Sequence, residues 1–176
     1  QLMKALGLSD AHGWIRFTAA QYQYSLVERG IEPEIADLCR EEGLGLVPWG
    51  PLGGGFLSGK YRRGTKPESG RLAVMPDQAE EAWDRRAREP NWQILGVMDD
   101  IAANYPLSHP QIALAWLLAQ PGVDSVIIGA RTPEQLEENL DAVGNPLPQE
   151  ELERLTEISA PPLGYPYRFL NNYGTR

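Results

Sequence analysis

"GLGLVPWGPLGGGFLSGKY", residues 43–61, asks for two structures in succession. Residues 44–49 are apolar without alternation, the pattern of a strand buried on both faces. From Gly54 the chain then reads G-x-x-x-x-G-K, one residue short of a phosphate-binding P-loop. Tyr61 stands where that loop carries the Ser or Thr hydroxyl for magnesium. The "YRRGTKPESGR" that follows (61–71) cannot form the helix a P-loop opens. The P-loop reading therefore fails. What survives is a glycine-rich loop leaving a strand, with Lys60 and Arg71 in reach of whatever it holds. Unblocked N–H groups and two cations suit a phosphate. A surface loop with no ligand has the same spacing, which alone leaves both readings open.

Outward from this stretch the pattern alternates between strands and helices. A short strand is expected at Phe17 to Gln21. A helix is expected over 32–43, with Pro33 in its first turn and Gly43 ending it. The Gly-, Pro- and charge-rich stretch 50–90 reads as a long loop. Helices follow at 91–105 and at 108–122, the second opened by Ser108 and Gln111 in capping-box register. Residues 125–128 are the third expected strand. The helix at 132–144 has Thr132 as cap, Pro133 at its first position, Gln135 completing the box and Gly144 as its stop. A last amphipathic helix is expected at 148–158, and the tail "GYPYRFLNNYGTR" is expected to be extended. Leu2, Ala5 and Leu6 read as the end of a helix entered in mid-fold. This order implies an α/β fold with parallel strands and crossover helices. Three strands are too few for a closed barrel of eight, so the chain reads as the second part of a larger fold. No repeat or linker divides it, and residues 1–176 are taken as one domain with an aromatic tail at 159–176.

The totals narrow the function. In 176 residues, 42% are hydrophobic and 23% charged, with a formal net charge of −8. Such a chain has no general attraction for nucleic acid or anionic lipid, and must bind any anion through a local cluster of donors. One cysteine, Cys39, excludes a disulfide framework and a Cys-based metal site, and suits a reducing, cytoplasmic setting. No apolar run is long enough for a membrane span.

A second candidate site lies in "IIGARTPEQLEEN" (127–139). A strand ends, Gly129, Ala130 and Arg131 turn, and a capped helix begins whose N-terminal N–H groups attract an anion. Gln135, Glu138 and Asn139 share one helical face and could hydrogen-bond a nucleobase edge; alone, they are more simply a wet polar face. Trp49 ends the second strand at the loop's mouth, where its ring either packs or stacks on a cofactor ring. Gln21 ends the first strand and offers an amide at the same rim. Ligands of such folds sit outside the carboxyl ends of the strands, and Gln21, Trp49 and Gly129 all fall there. That convergence argues for a dinucleotide site. His12, His109 and Cys39 read as structural, and the acidic pairs at 41–42, 99–100 and 150–151 as solvated helix faces. No metal-ligand spacing or nucleophile-and-base pairing is present.

Taken together, "AAQYQYSLVER" (19–29), "GLGLVPWGPLGGGFLSGKY" and "VIIGARTPEQLEENLDA" (126–142) resemble the aldo-keto reductase family, over nearly the whole chain to about Ile158. The "YPYRFLNNYG" tail is similar to the family's C-terminal segment. The resemblance implies a (β/α)8 TIM barrel, of which this chain would be the C-terminal part with strands six to eight. It implies a glycine loop that holds the pyrophosphate of NADP(H), with Gly50, Pro51, Leu52 and Gly54 beneath it. Trp49 would stack on the nicotinamide and Gln21 would contact its carboxamide. Lys60, Arg71 and Arg131 would favour the 2′-phosphate, and Gln135, Glu138 and Asn139 would serve the adenosine side. The family's catalytic Asp, Tyr, Lys and His belong to early strands that this chain does not contain. Tyr22, Tyr24, Lys60 and His109 match none of those motifs. The expectation is an NADPH-dependent reductase of aldehydes or ketones whose catalytic half, and so the partner of this half-barrel, lies elsewhere. The alternatives are a non-catalytic NADP(H)-binding half-barrel acting as a regulatory subunit, and a truncated structural remnant.

Overall fold

The computed structural model describes residues 1–173. Helix α1 (Leu2–His12) leads to strand β1 (Ala19–Ala20), and a π-helical turn (Glu32–Ala36) runs into α2 (Asp37–Glu42). Gly43 ends that helix in the left-handed region, φ 68°, as its sequence position requires. The amide of Ala36 bonds the carbonyl of Ile31, so the expected helix at 32–43 opens one residue wide before it tightens.

Strand β2 (Gly45–Leu46) pairs parallel with β1 in the register Ala19 to Gly45 and Ala20 to Leu46. Beyond these residues the odd-numbered amides continue toward β1: Gly45 to Thr18, Val47 to Ala20 and Trp49 to Tyr22, each 2.9 Å to the carbonyl. The even positions face the third segment. Leu46 donates to Gly122 at 2.9 Å and accepts from Asp124 at 3.0 Å. The next donor should be residue 48, but it is Pro48, which has no N–H. The ladder breaks there, and its carbonyl is met by Ile127 at 2.8 Å, one residue out of step. The expected third strand at 125–128 is therefore not a regular strand. It is an extended segment running beside β2, and the regular sheet has two strands.

Residues 50–90 are not the structureless loop expected. The glycine stretch forms a 3-10 turn (Gly53–Ser58), and two single-turn helices follow, α3 (Arg71–Val74) and α4 (Trp83–Arg86). Phe56, Tyr61, Leu72 and Trp83 are buried there and tie the segment into the larger core with α5 and α6. Helices α5 (Glu89–Asn104) and α6 (His109–Leu118) come next. In α6 the capping box forms as expected: Gln111 N–H donates to Ser108 Oγ at 3.4 Å, and Ser108 N–H donates to Gln111 Oε1 at 2.9 Å. All of 112–117 is buried, as a helix apolar on every side must be.

Helix α7 (Pro133–Asp141) is capped by Thr132, and α8 (Gln149–Ile158) packs on α5. The tail is not extended. Helix α9 (Tyr167–Tyr173) forms behind Pro166, with Arg168 N–H bonded to the Gly164 carbonyl and Leu170 N–H to that of Pro166, both at 3.0 Å. Proline suits the start of a helix. Phe169 and Tyr173, one turn apart, bring their rings to 5.0 Å, and the Tyr167 hydroxyl donates to Glu34. The chain's larger core gathers α5, α6 and α8 around Trp116, Phe56, Met98 and Ile101; a smaller one joins Leu6, Ala20, Cys39, Leu44 and Leu46 under the strands. Cys39 is free and fully buried, and burial pushes its thiol pKa up. Among the described residues no helix is long and apolar enough to cross a membrane.

Candidate functional site

The carboxyl side of β2, the glycine turn, the N-terminus of α6 and the stretch from Ile127 into α7 enclose one cavity of about 720 Å³. Trp49, Gly50, Pro51, Leu52, Gly54, Lys60, Arg71, Gly129, Ala130, Arg131, Gln135, Glu138 and Asn139 all line it. Gln21 does not: it follows β1 directly, is exposed, and stands outside the lining.

The glycine turn is shaped by backbone that only glycine adopts freely. Gly53, Gly54 and Gly55 are all left-handed, and a Cβ on Gly53 would sit 2.6 Å from Val27 Cγ2. The turn is braced by Ser58 Oγ, which donates to the Gly55 carbonyl at 2.7 Å. Gly59, also left-handed, lies against the His109 ring, where a Cβ would come within 2.9 Å of the ring's Cγ. His109 Nε2 in turn meets Asp99 Oδ1 at 2.9 Å, which fixes the ring as a wall of the cavity.

At the other wall, nothing lies within 4 Å of where a Gly129 side chain would be, so a ligand can approach the backbone. Thr132 Oγ1 accepts from Gln135 N–H at 3.3 Å, but Gln135 Oε1 accepts from Arg131 N–H at 3.0 Å. The box expected on Thr132 thus closes one residue earlier, and it pins the Arg131 turn. The Glu134 carboxyl is held below the usual carboxylate range, first by its own backbone N–H and then by the Thr132 hydroxyl. Asn139 is buried and Glu138 half-buried on the cavity side.

Three cations reach the cavity in a chain that is acidic overall. Lys60 is exposed, with Nζ 5.0 Å from the Tyr61 ring centre. Arg131 is exposed at the α7 end. Neither forms an ion pair among the described residues. Arg71 differs: its Nη2 lies 2.8 Å from Glu81 Oε2. Glu81, like Ser58 and His109, is a lining residue that sequence reading missed. Glu81 had no signal at all, since it lies in a stretch without periodicity. His109 had one: a histidine just after a helix cap, and so facing whatever that helix end faces.

The cavity of about 720 Å³ is lined by an aromatic ring, side-chain amides and cations. The residues fit a nucleotide pyrophosphate through open glycine approaches and three cations, although the Gly53 and Gly55 amides are already bonded to the Gly50 and Leu52 carbonyls at 2.9 Å. Tyr24 is buried and donates to Glu32 Oε1 at 2.7 Å, away from the cavity lining, and no group of metal-ligating side chains exists among the described residues.

Residues 1–160 match the model of the Aldo/keto reductase family. An aldo-keto reductase of Fusarium vanettenii is 34% identical over 157 residues, covering 88% of this chain and 40% of that protein. Protein tas of Escherichia coli is 32% identical over 157 residues, 89% of this chain and 44% of its own length. Probable aldo-keto reductase 1 of Glycine max is 35% identical over 171 residues, 92% and 47% respectively. The chain spans less than half the length of these relatives. With a family match over residues 1–160, the chain belongs to the aldo/keto reductase family.

Proposed function

We propose that the chain is the coenzyme-binding portion of an NADPH-dependent oxidoreductase that reduces aldehydes or ketones to alcohols. It would contribute the sixth to eighth strands of a (β/α)8 barrel. The observation that supports this reading is the convergence of the glycine turn, Trp49, the α7 entrance and three cations on one cavity.

When bound, the nicotinamide coenzyme supplies a hydride to the carbonyl carbon. This chain's residues bind and orient. Trp49 offers a ring face for the nicotinamide, and Gln21, beside the rim, serves its carboxamide once the barrel is complete. The turn at Gly50–Gly55 offers side-chain-free backbone on which the pyrophosphate can rest. Lys60, Arg71 and Arg131 favour a 2′-phosphate, and Gln135, Glu138 and Asn139 serve the adenosine side. The acid that protonates the carbonyl oxygen comes from outside the chain, so this chain alone reduces no carbonyl. The setting is the cytoplasm, where a thiol such as Cys39 stays reduced.

The test is an equilibrium titration with NADPH and NADH, following tryptophan fluorescence. Saturable quenching is expected, tighter for NADPH. Lys60→Ala and Arg131→Ala should each weaken NADPH about tenfold, the worth of one charge-assisted hydrogen bond, while leaving NADH nearly unchanged. No saturable quenching by either coenzyme would end the reading. A carbonyl reduction rate from this chain alone, comparable to that of complete reductases, would overturn the outside acid.

A further inference from the structure

Of the three cations at the cavity, Arg71 alone is held in an ion pair among the described residues. Its partner, Glu81, is the unusual member of the pair: the Arg71 side chain is 61% exposed, the Glu81 side chain 5%. Glu81 lies directly behind the glycine turn. Its Oε1 is 3.0 Å from the position a Gly50 Cβ would take, and its Cβ is 3.3 Å from that of Gly54. A carboxylate has thus been buried beside backbone suited to an anion. Such a group repels an anionic ligand unless it is compensated, and burying it without a partner is costly.

A second oddity lies next to it. Gln23 Nε2 is buried and has no hydrogen-bond partner among the described residues, and buried donors are rarely left unpaired. This atom is 3.6 Å from the same Gly50 Cβ position that Glu81 Oε1 approaches to 3.0 Å. The unpaired donor and the buried carboxylate thus border the same space, which Gly50 leaves unfilled by having no side chain.

We propose that Arg71, Glu81 and Gln23 form an exchange switch for the cavity. Without a ligand, Glu81 holds Arg71. When an anionic ligand enters, Arg71 turns to its phosphate, and Glu81 turns to the waiting amide of Gln23. Glu81 is then a positioning residue that competes with the ligand for one guanidinium, and Gln23 is the residue that makes releasing it cheap. The inference rests on the anion-binding reading above and adds how that site is regulated.

The experiment measures binding of inorganic pyrophosphate and of NADP+ to the full chain by calorimetry, in single and double variants. Glu81→Gln is expected to tighten pyrophosphate about tenfold, as an arginine freed from its competitor gains a charge-assisted contact. That gain should vanish in an Arg71→Gln background; simple repulsion by Glu81 would preserve it, and its survival there would overturn the switch. Gln23→Leu leaves both charges in place and should weaken binding about threefold, with no effect once Glu81→Gln is present. Because this variant keeps the pair, it decides the question even if Glu81→Gln does not fold. An unchanged affinity in Gln23→Leu would overturn the proposal. If the unaltered chain binds NADP+ but ignores Glu81→Gln, the switch alone fails. If it binds neither probe, the anion-site reading fails and takes the switch with it.

Discussion

Two of the arginine–glutamate pairs in this chain, Arg29–Glu32 and Arg71–Glu81, are built in opposite ways. In the first, the arginine is buried. Arg29 Nε and Nη2 reach the two carboxylate oxygens of Glu32 at 2.6 and 3.0 Å; Nη1 donates to the Thr156 carbonyl at 2.6 Å and to Ser159 Oγ at 2.7 Å. Its guanidinium also lies 5.3 Å from the centre of the Trp116 ring. Four of its five N–H donors are spent on the fold, and the C-terminal end of α8 is locked to the segment after β1. In the second, the glutamate is buried and the arginine is in solvent. Arg71 has one partner and room to leave it. The same two residue types thus make a clamp where the guanidinium is enclosed, and a replaceable contact where it is free.

The sharpest way to break this contrast is to remove each arginine in turn. Arg29→Ala removes the guanidinium donors to Glu32, to the Thr156 carbonyl and to Ser159 Oγ at once. Breaking such a pair should cost about 3 kcal/mol or more, read as a lower urea midpoint. Arg71→Gln should cost about 1 kcal/mol or less, because Gln23 can take up Glu81. In a Gln23→Leu background the cost of Arg71→Gln should rise. Equal losses for Arg29→Ala and Arg71→Gln would erase the distinction between clamp and contact.

Gly53 sits between the two regions and is next in size. Its left-handed φ of 56° already disfavours any side chain, and a Cβ would lie 2.6 Å from Val27 Cγ2. Gly53→Ala should therefore cost about 2 kcal/mol, from the conformation and the clash together. It should also loosen ligand binding, since the turn that lines the cavity must shift. Stability loss with unaltered NADPH affinity would mean the turn's shape does not serve the cavity.

How far the sequence could be read follows the same division. Local rules made the capping box at Ser108, the cap at Thr132 and the stop at Gly43 legible, because each depends on a few adjacent residues. Much of the cavity lining was legible from the glycine loop, the strand end at Trp49 and the capped helix, together with the family resemblance, while Ser58, Glu81 and His109 were not. The slip at Ile127 was not, since it follows from Pro48 facing one neighbour rather than the other, and parity in a sheet is known only once the register is set. Glu81 was invisible for a related reason: a carboxylate in a charged loop looks solvated until the loop folds back. The tail misled because proline and aromatics suggest extended chain, whereas Pro166 opens α9 and Phe169 and Tyr173 pair along it.

A third test touches the clamp through its pH dependence. The Tyr24 phenol is pushed well above its ordinary value near 10, first by burial and then by its hydrogen bond to Glu32 and that carboxylate's charge. In the folded chain it keeps its proton where the unfolded chain loses it. The stability it contributes is thus complete below pH 10 and falls as pH rises beyond it, by up to about 1.4 kcal/mol per pH unit. Tyr24→Phe should cost about 1 kcal/mol at neutral pH for the lost hydrogen bond, and should flatten the decline above pH 10 relative to the unaltered chain. Parallel declines in both would detach Tyr24 from the clamp.

The smallest expected effect lies at the cavity's exposed wall. Thr132→Ala removes the side-chain acceptor for Gln135 N–H, and caps of this kind are worth about 1 kcal/mol or less when exposed. Global stability should hardly move, because α7 contributes little to either core. Gln135 still holds the Arg131 amide at 3.0 Å, but from a first turn that now frays. The affinity for NADPH should fall by a few-fold with little change in the urea midpoint, the reverse of the Arg29→Ala outcome. If binding is untouched while the midpoint drops, α7 belongs to the clamp side of the molecule, and the division drawn from the two arginines does not extend to the helix beside the cavity.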